Sequence, residues 1–228
     1  MSLATVERPE LEPCIPAYRA EFRRKLANHG MSVEVIPLAD FLRHHDRCDY
    51  PPFKGWTAGQ GRILWGVFVR GNLIATWGAL AYMLKPGETL RDLMQDRGLY
   101  PTENETWWLD GDAGRFAEKV DDIAVFEGGL CIPREWRKTQ EAETVVREMP
   151  LYARASAVMQ WQCPWVWFLV KADKKLGQRF GAEHLLDSVV WTAGGGLKDG
   201  VRRKLGLSSA PWIEARAEAW LDRRLSRS

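Results

Sequence analysis

A chain of 228 residues with 46% hydrophobic and 27% charged residues has the balance of a folded domain, not of a disordered segment. Lys and Arg total 32 against 30 Asp and Glu, so the net charge of +2 gives no global electrostatic case for nucleic-acid binding. No apolar run approaches the roughly 18–20 residues of a membrane helix, and the start MSLATVERPELEPC lacks the basic-then-apolar layout of a secretory leader.

In chain order, residues 16–29 (PAYRAEFRRKLANH) predict a helix. Tyr18, Phe22 and Leu26 recur every four residues on one face, Pro16 stands near the start and Gly30 lies just past the end. The basic run Arg23-Arg24-Lys25 falls on its outer side. Residues 31–37 predict a short strand with Val33 and Val35 inward, and 38–46 a short helix ending in His44-His45-Asp46. Adjacent histidines on a helix point in different directions and suit a single metal poorly. The stretch DYPPFKGWTAGQG, 49–61, reads as a loop. The apolar runs 63–69 and 73–84, joined by Arg70-Gly71-Asn72, predict a β-hairpin whose strands need cover on both faces. A short helix is expected at 88–97, with Leu90, Leu93 and Met94 on one side, and then a polar loop over 101–119 containing Glu103, Glu105, Asp110 and Asp112.

Residues 122–132, DIAVFEGGLCI, predict a third strand. Gly128-Gly129 within it signals a bulge or a close backbone approach, and Pro133 ends the pairing for want of an N–H. The basic turn REWRKTQ leads to a long helix from about 140 to 160, with Ala142, Val145, Val146, Met149 and Ala153 inward. Pro150 is expected to kink or break it. PWVWFLV, 164–170, reads as a buried central strand. A helix over 172–180, a last strand over 184–192 and a flexible break at Gly194-Gly195-Gly196 follow. Ser209 and Pro211 mark the start of a final helix lined by Ile213, Ala217, Trp220, Leu221 and Leu225. From Lys198 onward there are eight basic and four acidic residues.

Twelve tryptophans are the compositional oddity. A stacking platform for single-stranded nucleic acid needs cations between the rings. QWQCPWVWFLVK has no basic residue before Lys171, so these rings read as core. Cys14, Cys48, Cys131 and Cys163 form no CxxC pair and the histidines lack zinc spacing, so reduced thiols, no metal and a cytoplasmic location are expected.

Where a strand ends abruptly and feeds a helix, free main-chain N–H groups and the helix dipole favour an anion such as phosphate. Arg134, Arg137 and Lys138 stand at such a junction here, although a solvated basic turn would look the same. The segment GGLCIPREWRKTQEA resembles the central motif of the GCN5-related N-acyltransferase (GNAT) superfamily. There a strand, often followed by proline, leads into a loop (Gln/Arg)-x-x-Gly-x-(Gly/Ala) whose amides hold the pyrophosphate of an acyl-coenzyme A. Arg137 takes the first position and Ala142 the last, while Gln140 replaces the middle glycine and Glu141 adds negative charge. As architecture the resemblance covers roughly 60–192.

The resemblance implies an α+β fold of α/β/α layers, with a central mixed, mostly antiparallel sheet flanked by helices. It divides the chain into an N-terminal helical extension (1–60), a GNAT-like acyltransferase domain (61–196) and a C-terminal amphipathic helix (197–228). It implies transfer of an acyl group from acetyl-CoA or another acyl-CoA to a small-molecule or protein amine, with a homodimer allowed for. The implied cofactor-binding residues are Leu130, Cys131, Ile132, Arg137, Lys138, Thr139, Gln140, Glu141 and Ala142. Glu127 is the candidate base; a strand carboxylate facing solvent or paired with Arg is the other reading of it. Asp110 and Asp112 could shape an amine pocket or belong to a solvated loop. The family often protonates the leaving thiolate with a late tyrosine, but none follows Tyr152, and Cys163 beside a buried strand is a poor substitute. An inactive GNAT-fold binding module is the alternative. A weaker one is nucleic-acid binding through basic helices near 23–25 and 202–204.

Overall fold

The computed structural model describes residues 13–48, 61–97, 105–171, 176–193 and 200–226. Eight strands form one sheet in the order β1-β2-β3-β5-β6-β8-β7-β4. They are β1 (Met31–Val35), β2 (Arg62–Val69), β3 (Asn72–Met83), β4 (Glu105–Leu109), β5 (Ile123–Cys131), β6 (Trp165–Lys171), β7 (His184–Ala193) and β8 (Val201–Ser209). Every neighbouring pair is antiparallel except β5–β6. The helices are α1 (Cys14–Asn28), α2 (Leu38–Asp46), α3 (Leu90–Asp92, continued by a π-helical turn Leu93–Arg97), α4 (Gly111–Ala117), α5 (Gln140–Trp161), α6 (Leu176–Phe180) and α7 (Ala210–Leu225). One apolar cluster joins α1, α5 and α7 to one face of the sheet, and a second joins α2, α3 and α4 to the other. The α+β class, with its mixed and mostly antiparallel sheet between helical layers, is the one the sequence implies. The three stretches 1–60, 61–196 and 197–228 all contribute to this sheet, the first through β1 and the last through β8.

The local chemistry is direct. Arg70 and Gly71 both have positive φ, 49° and 79°, which is the two-residue turn that matches strand twist in a hairpin. α1 buries Tyr18, Phe22 and Leu26, the stripe its spacing predicts. Ser209 Oγ accepts from Trp212 N to cap α7. Four tryptophans, Trp65, Trp77, Trp107 and Trp167, are among the largest fully buried side chains; of the cluster read as core, Trp167 is fully buried, while Trp161 and Trp165 are half-buried and pack against the core.

Six expectations need correction. Val35, expected inward on β1, and Leu225, expected to line the packed face of α7, are both exposed, at 65% and 62%. The stretch 101–119 is not simply a polar loop: residues 105–109 form an edge strand beside β7, and 111–117 a helix. Residues 201–209 are a strand inserted between β6 and β7, so Arg202, Arg203 and Lys204 lie on no helix. Pro150 does not break α5, which runs unbroken from Gln140 to Trp161. Proline forfeits one hydrogen bond and crowds the preceding turn at a cost of about 3 kcal/mol. The buried residues on both sides of it, from Glu148 to Val158, outweigh that cost by packing. Finally, Cys48 and Cys131 are joined in a disulfide, contrary to the expectation of four thiols. The loop at 49–60, the first residues of the expected 172–180 helix and the glycine break at 194–196 lie outside the described residues.

Candidate functional site

β5 and β6 pair only at Ala124–Trp165, Val125–Val166 and Phe126–Trp167. Beyond Phe126, β5 keeps β3 as its neighbour while β6 keeps β8, so the two parallel strands part. The expected glycine irregularity sits on this bare stretch: the β3–β5 register shifts between Thr76 and Gly78, and Gly129 has φ +68°. A wedge therefore opens between the C-terminal halves of β5 and β6, leading toward the start of α5.

Glu127 stands at the point of the wedge and is 1% exposed. Its Oε1 accepts from Arg154 Nε of α5 at 2.7 Å and also from Arg154 Nη2. Its Oε2 is buried without a partner. Burial pushes the Glu127 carboxyl above its usual range, and the Arg154 guanidinium pulls the other way. Arg154 also donates to the Gly181 carbonyl and lies 4.9 Å from the centroid of the Phe168 ring on β6, so it spans the closed end of the wedge from strand to strand.

At the far end of β5, α2 is fastened to the strand. His44 Nε2–H donates to the Cys131 carbonyl (3.3 Å) and His45 Nε2–H to the Gly129 carbonyl (3.0 Å). Both imidazoles are buried, which lowers their pKa, that of His45 to about 4. The disulfide takes the Cys131 sulfur, and Arg47 pairs with Glu135 at 3.0 Å. His44, Cys48 and Cys131 bring one imidazole nitrogen and two sulfurs within 4.8 Å of one another. Such a set suits a soft metal only when both sulfurs are thiolates.

The junction 132–142 makes the loop expected of an anion seat, with part of its donors already used. Thr139 Oγ1 accepts from Ala142 N (3.2 Å), the Thr139 carbonyl accepts from Glu143 N, and Arg137 Nε donates to the Ile132 carbonyl (2.8 Å). The N–H groups of Trp136, Arg137 and Thr139 are satisfied within the loop. Among the described residues, those of Lys138, Gln140 and Glu141 donate to no acceptor. Arg137, Lys138 and Gln140 are exposed. Gln140 and Glu141 line a cavity of about 220 Å³ together with Lys25, His29 and Arg147. Ile132 and Ala142 are buried, and Leu130 packs on the core.

The remaining candidates lie elsewhere. Asp110 precedes α4, and Asp112 pairs with Arg115 on its exposed side. Burial pushes the Cys163 thiol up to about 12, which leaves it inert. Tyr152 is wholly buried and accepts from Arg23. The basic run of α1 is engaged: Arg24 with Glu21 (2.8 Å), Lys25 with Glu148 (2.6 Å). Lys204 of β8 pairs with Asp187.

Sequence reasoning missed Arg154 and the fastening of α2 onto β5. The one local signal for the latter is His44 and Cys48, four residues apart at the end of α2.

No protein-family model matches the chain, and none of the curated proteins does. Among solved structures it is similar to an uncharacterized protein from Bacillus halodurans, at 11% identity over 83% of this chain and 89% of that one, with a TM-score of 0.48. It is also similar to mutant forms of a spermidine/spermine N-acetyltransferase from Vibrio cholerae, at 9% identity over 83% and 99%, with a TM-score of 0.48. A third is apo FdhC, a nucleotide-linked sugar GNAT, at 9% identity over 84% and 93%, with a TM-score of 0.45. Such identities assign this chain no substrate.

Proposed function

We propose that the chain is a GNAT-like N-acyltransferase that moves an acyl group from an acyl-CoA to an amine. The observation that carries this reading is the parting of β5 and β6 beyond Phe126, with the strand edge so bared running into a helix start that keeps free N–H groups. In GNAT proteins such a gap admits the pantetheine arm. The residues present fit the pyrophosphate in donor type: the amides of Lys138, Gln140 and Glu141, with the Arg137 and Lys138 side chains adding positive charge. Gln140 in place of the glycine, and the negative charge that Glu141 adds beside it, weaken that fit.

The bound acyl-CoA would supply a thioester. In the overall exchange the amine nitrogen bonds to the acyl carbon, the carbon–sulfur bond breaks and the amine loses a proton, which ends on the thiol that leaves. The task for this chain is to orient the amine, take up that proton and polarise the thioester carbonyl with main-chain N–H groups of β5. Glu127 is the proposed base, acting through Oε2, since Arg154 occupies Oε1. A cytoplasmic location belongs to this reading, and the Cys48–Cys131 bond is the feature at odds with it.

The second reading, a GNAT fold used for binding without catalysis, is favoured by that same ion pair, which occupies the candidate base. Thiol release from acetyl-CoA and longer acyl-CoAs, measured against a panel of primary amines, separates the two. The enzyme reading expects amine-dependent release that falls in Arg137→Ala and is lost in Glu127→Gln. Acyl-CoA binding with no release under any amine favours the binding module.

A further inference from the structure

Trp212, Arg216, Trp220 and Arg223 recur at i, i+4, i+8 and i+11 along α7, and so share one side of that helix. This side walls a cavity of about 290 Å³. Its opposite walls are α5, through Arg147 and Arg154, and the end of α6, through Arg179 and Phe180. Five arginines thus line the cavity with a single acidic residue, Glu148, beside them.

The pairing of these charges leaves a definite remainder. Arg147 meets Glu148 at 3.0 Å, Arg179 meets Glu143 at 3.2 Å, and Arg154 meets Glu127. Glu148 is itself shared with Lys25 at 2.6 Å. Among the described residues, Arg216 and Arg223 meet no carboxylate; the Arg216 guanidinium lies 5.6 Å from the centroid of the Trp212 ring. Tyr18, which is 0% exposed and also lines the cavity, has a hydroxyl with no hydrogen-bond partner. A buried hydroxyl left unpaired is costly, because its desolvation is not repaid. Two forks without a carboxylate, one of them against the Trp212 ring, and an unanswered hydroxyl share this cavity with Trp220, whose ring Lys25 also meets at 5.6 Å.

We propose that this cavity is a binding site for a small organic oxyanion. Arg216 and Arg223 would hold a carboxylate or phosphate group, and the rings of Trp212 and Trp220 would pack against its planar or apolar body. The site shares Arg147 and Glu148 with the smaller cavity at the start of α5 but is lined by neither Gln140 nor Glu141. It touches α5 from Arg147 to Arg154, two turns and more beyond Gln140, and its other walls are α1, α6 and α7. It does not depend on the acyltransferase reading.

The test is calorimetry and thermal unfolding of the full chain with three probes: indole-3-acetate for the carboxylate, AMP for the phosphate, and inorganic phosphate as the anion without a body. The expected result is that at least one organic probe binds at millimolar concentration or below, more tightly than inorganic phosphate, and raises the unfolding temperature. Which probe binds tells carboxylate from phosphate. In R216A/R223A this binding should weaken by about tenfold or more, the scale of one or two charge-assisted hydrogen bonds. R216K/R223K should keep part of it, and Arg137→Ala all of it. The proposal is overturned if neither organic probe binds at millimolar concentration, if binding is unchanged in R216A/R223A, if Arg137→Ala abolishes it, or if inorganic phosphate binds as tightly as both.

Discussion

Arg154 of α5 holds Glu127 of β5 with Nε and Nη2 on one carboxylate oxygen, both residues being 1% exposed at the point where β5 leaves β6. The pair explains how a strand can carry a carboxylate into an apolar sheet. It also sets the condition for any chemistry there, since a base already bound to a guanidinium has no lone pair to spare on that oxygen. Glu127 Oε2 stays without a partner and is the atom nearest to being usable.

Breaking the pair from one side should be costly. Arg154→Ala leaves an uncompensated buried carboxylate, for which roughly 3–5 kcal/mol of stability is lost. Replacing both partners by neutral residues of similar volume, as in E127Q/R154M, should recover most of that loss. Urea unfolding of the single and double variants measures it, and equal stability of Arg154→Ala and the parent would rule out a structural ion pair.

Reduction of Cys48–Cys131 should destabilise the chain by roughly 2–4 kcal/mol, because the bond closes a long loop between residues 83 apart. Unfolding with and without a dithiol reductant gives the difference. Alkylation before reduction should label Cys14, which is part-exposed, and spare Cys163, whose thiol titrates near about 12.

The histidines of α2 make stability depend on pH. Both have native pKa values below the ordinary 6.5, His45 near about 4, because burial disfavours the charged ring. The unfolded chain therefore binds their protons first. Their contribution is fully present above pH 6.5 and is lost as the pH falls from there toward 4, up to about 3 kcal/mol for His45. Urea midpoints across that window should fall with acid in the parent and fall less in His45→Gln. A pH-independent midpoint would contradict the burial of these rings.

Thr139 caps α5, so Thr139→Ala should cost about 1 kcal/mol and Thr139→Ser almost nothing. Circular dichroism during denaturation reads this directly.

Much of the fold is legible because its signals are local. The hairpin of β2 and β3 follows from two apolar runs around Arg70-Gly71, and α1 follows from Tyr18, Phe22 and Leu26. β8 escapes for a physical reason: Val201, Arg202, Arg203 and Lys204 are exposed or half-exposed, and only from Leu205 to Ser208 is the strand buried. β4 hides in polar surroundings and gains its place by pairing with β7. The strand–loop–helix of the candidate site is legible, since Gly128-Gly129, Pro133 and the basic turn are read residue by residue, whereas the Thr139 cap is not. Its closure is not: Arg154 meets Glu127 from 27 residues away, and Cys48 meets Cys131 from 83, through helices folding back on the sheet.

In the proposed function the start of α5, at the mouth of the β5–β6 wedge, seats the diphosphate of an acyl-CoA. Isothermal titration of the full chain with acetyl-CoA and longer acyl-CoAs, repeated on Lys138→Glu, is the most direct test. The parent should give saturable heat at millimolar concentration or below, and charge reversal at Lys138 should abolish it. Absence of heat with every acyl-CoA, or equal binding by Lys138→Glu, would contradict this reading.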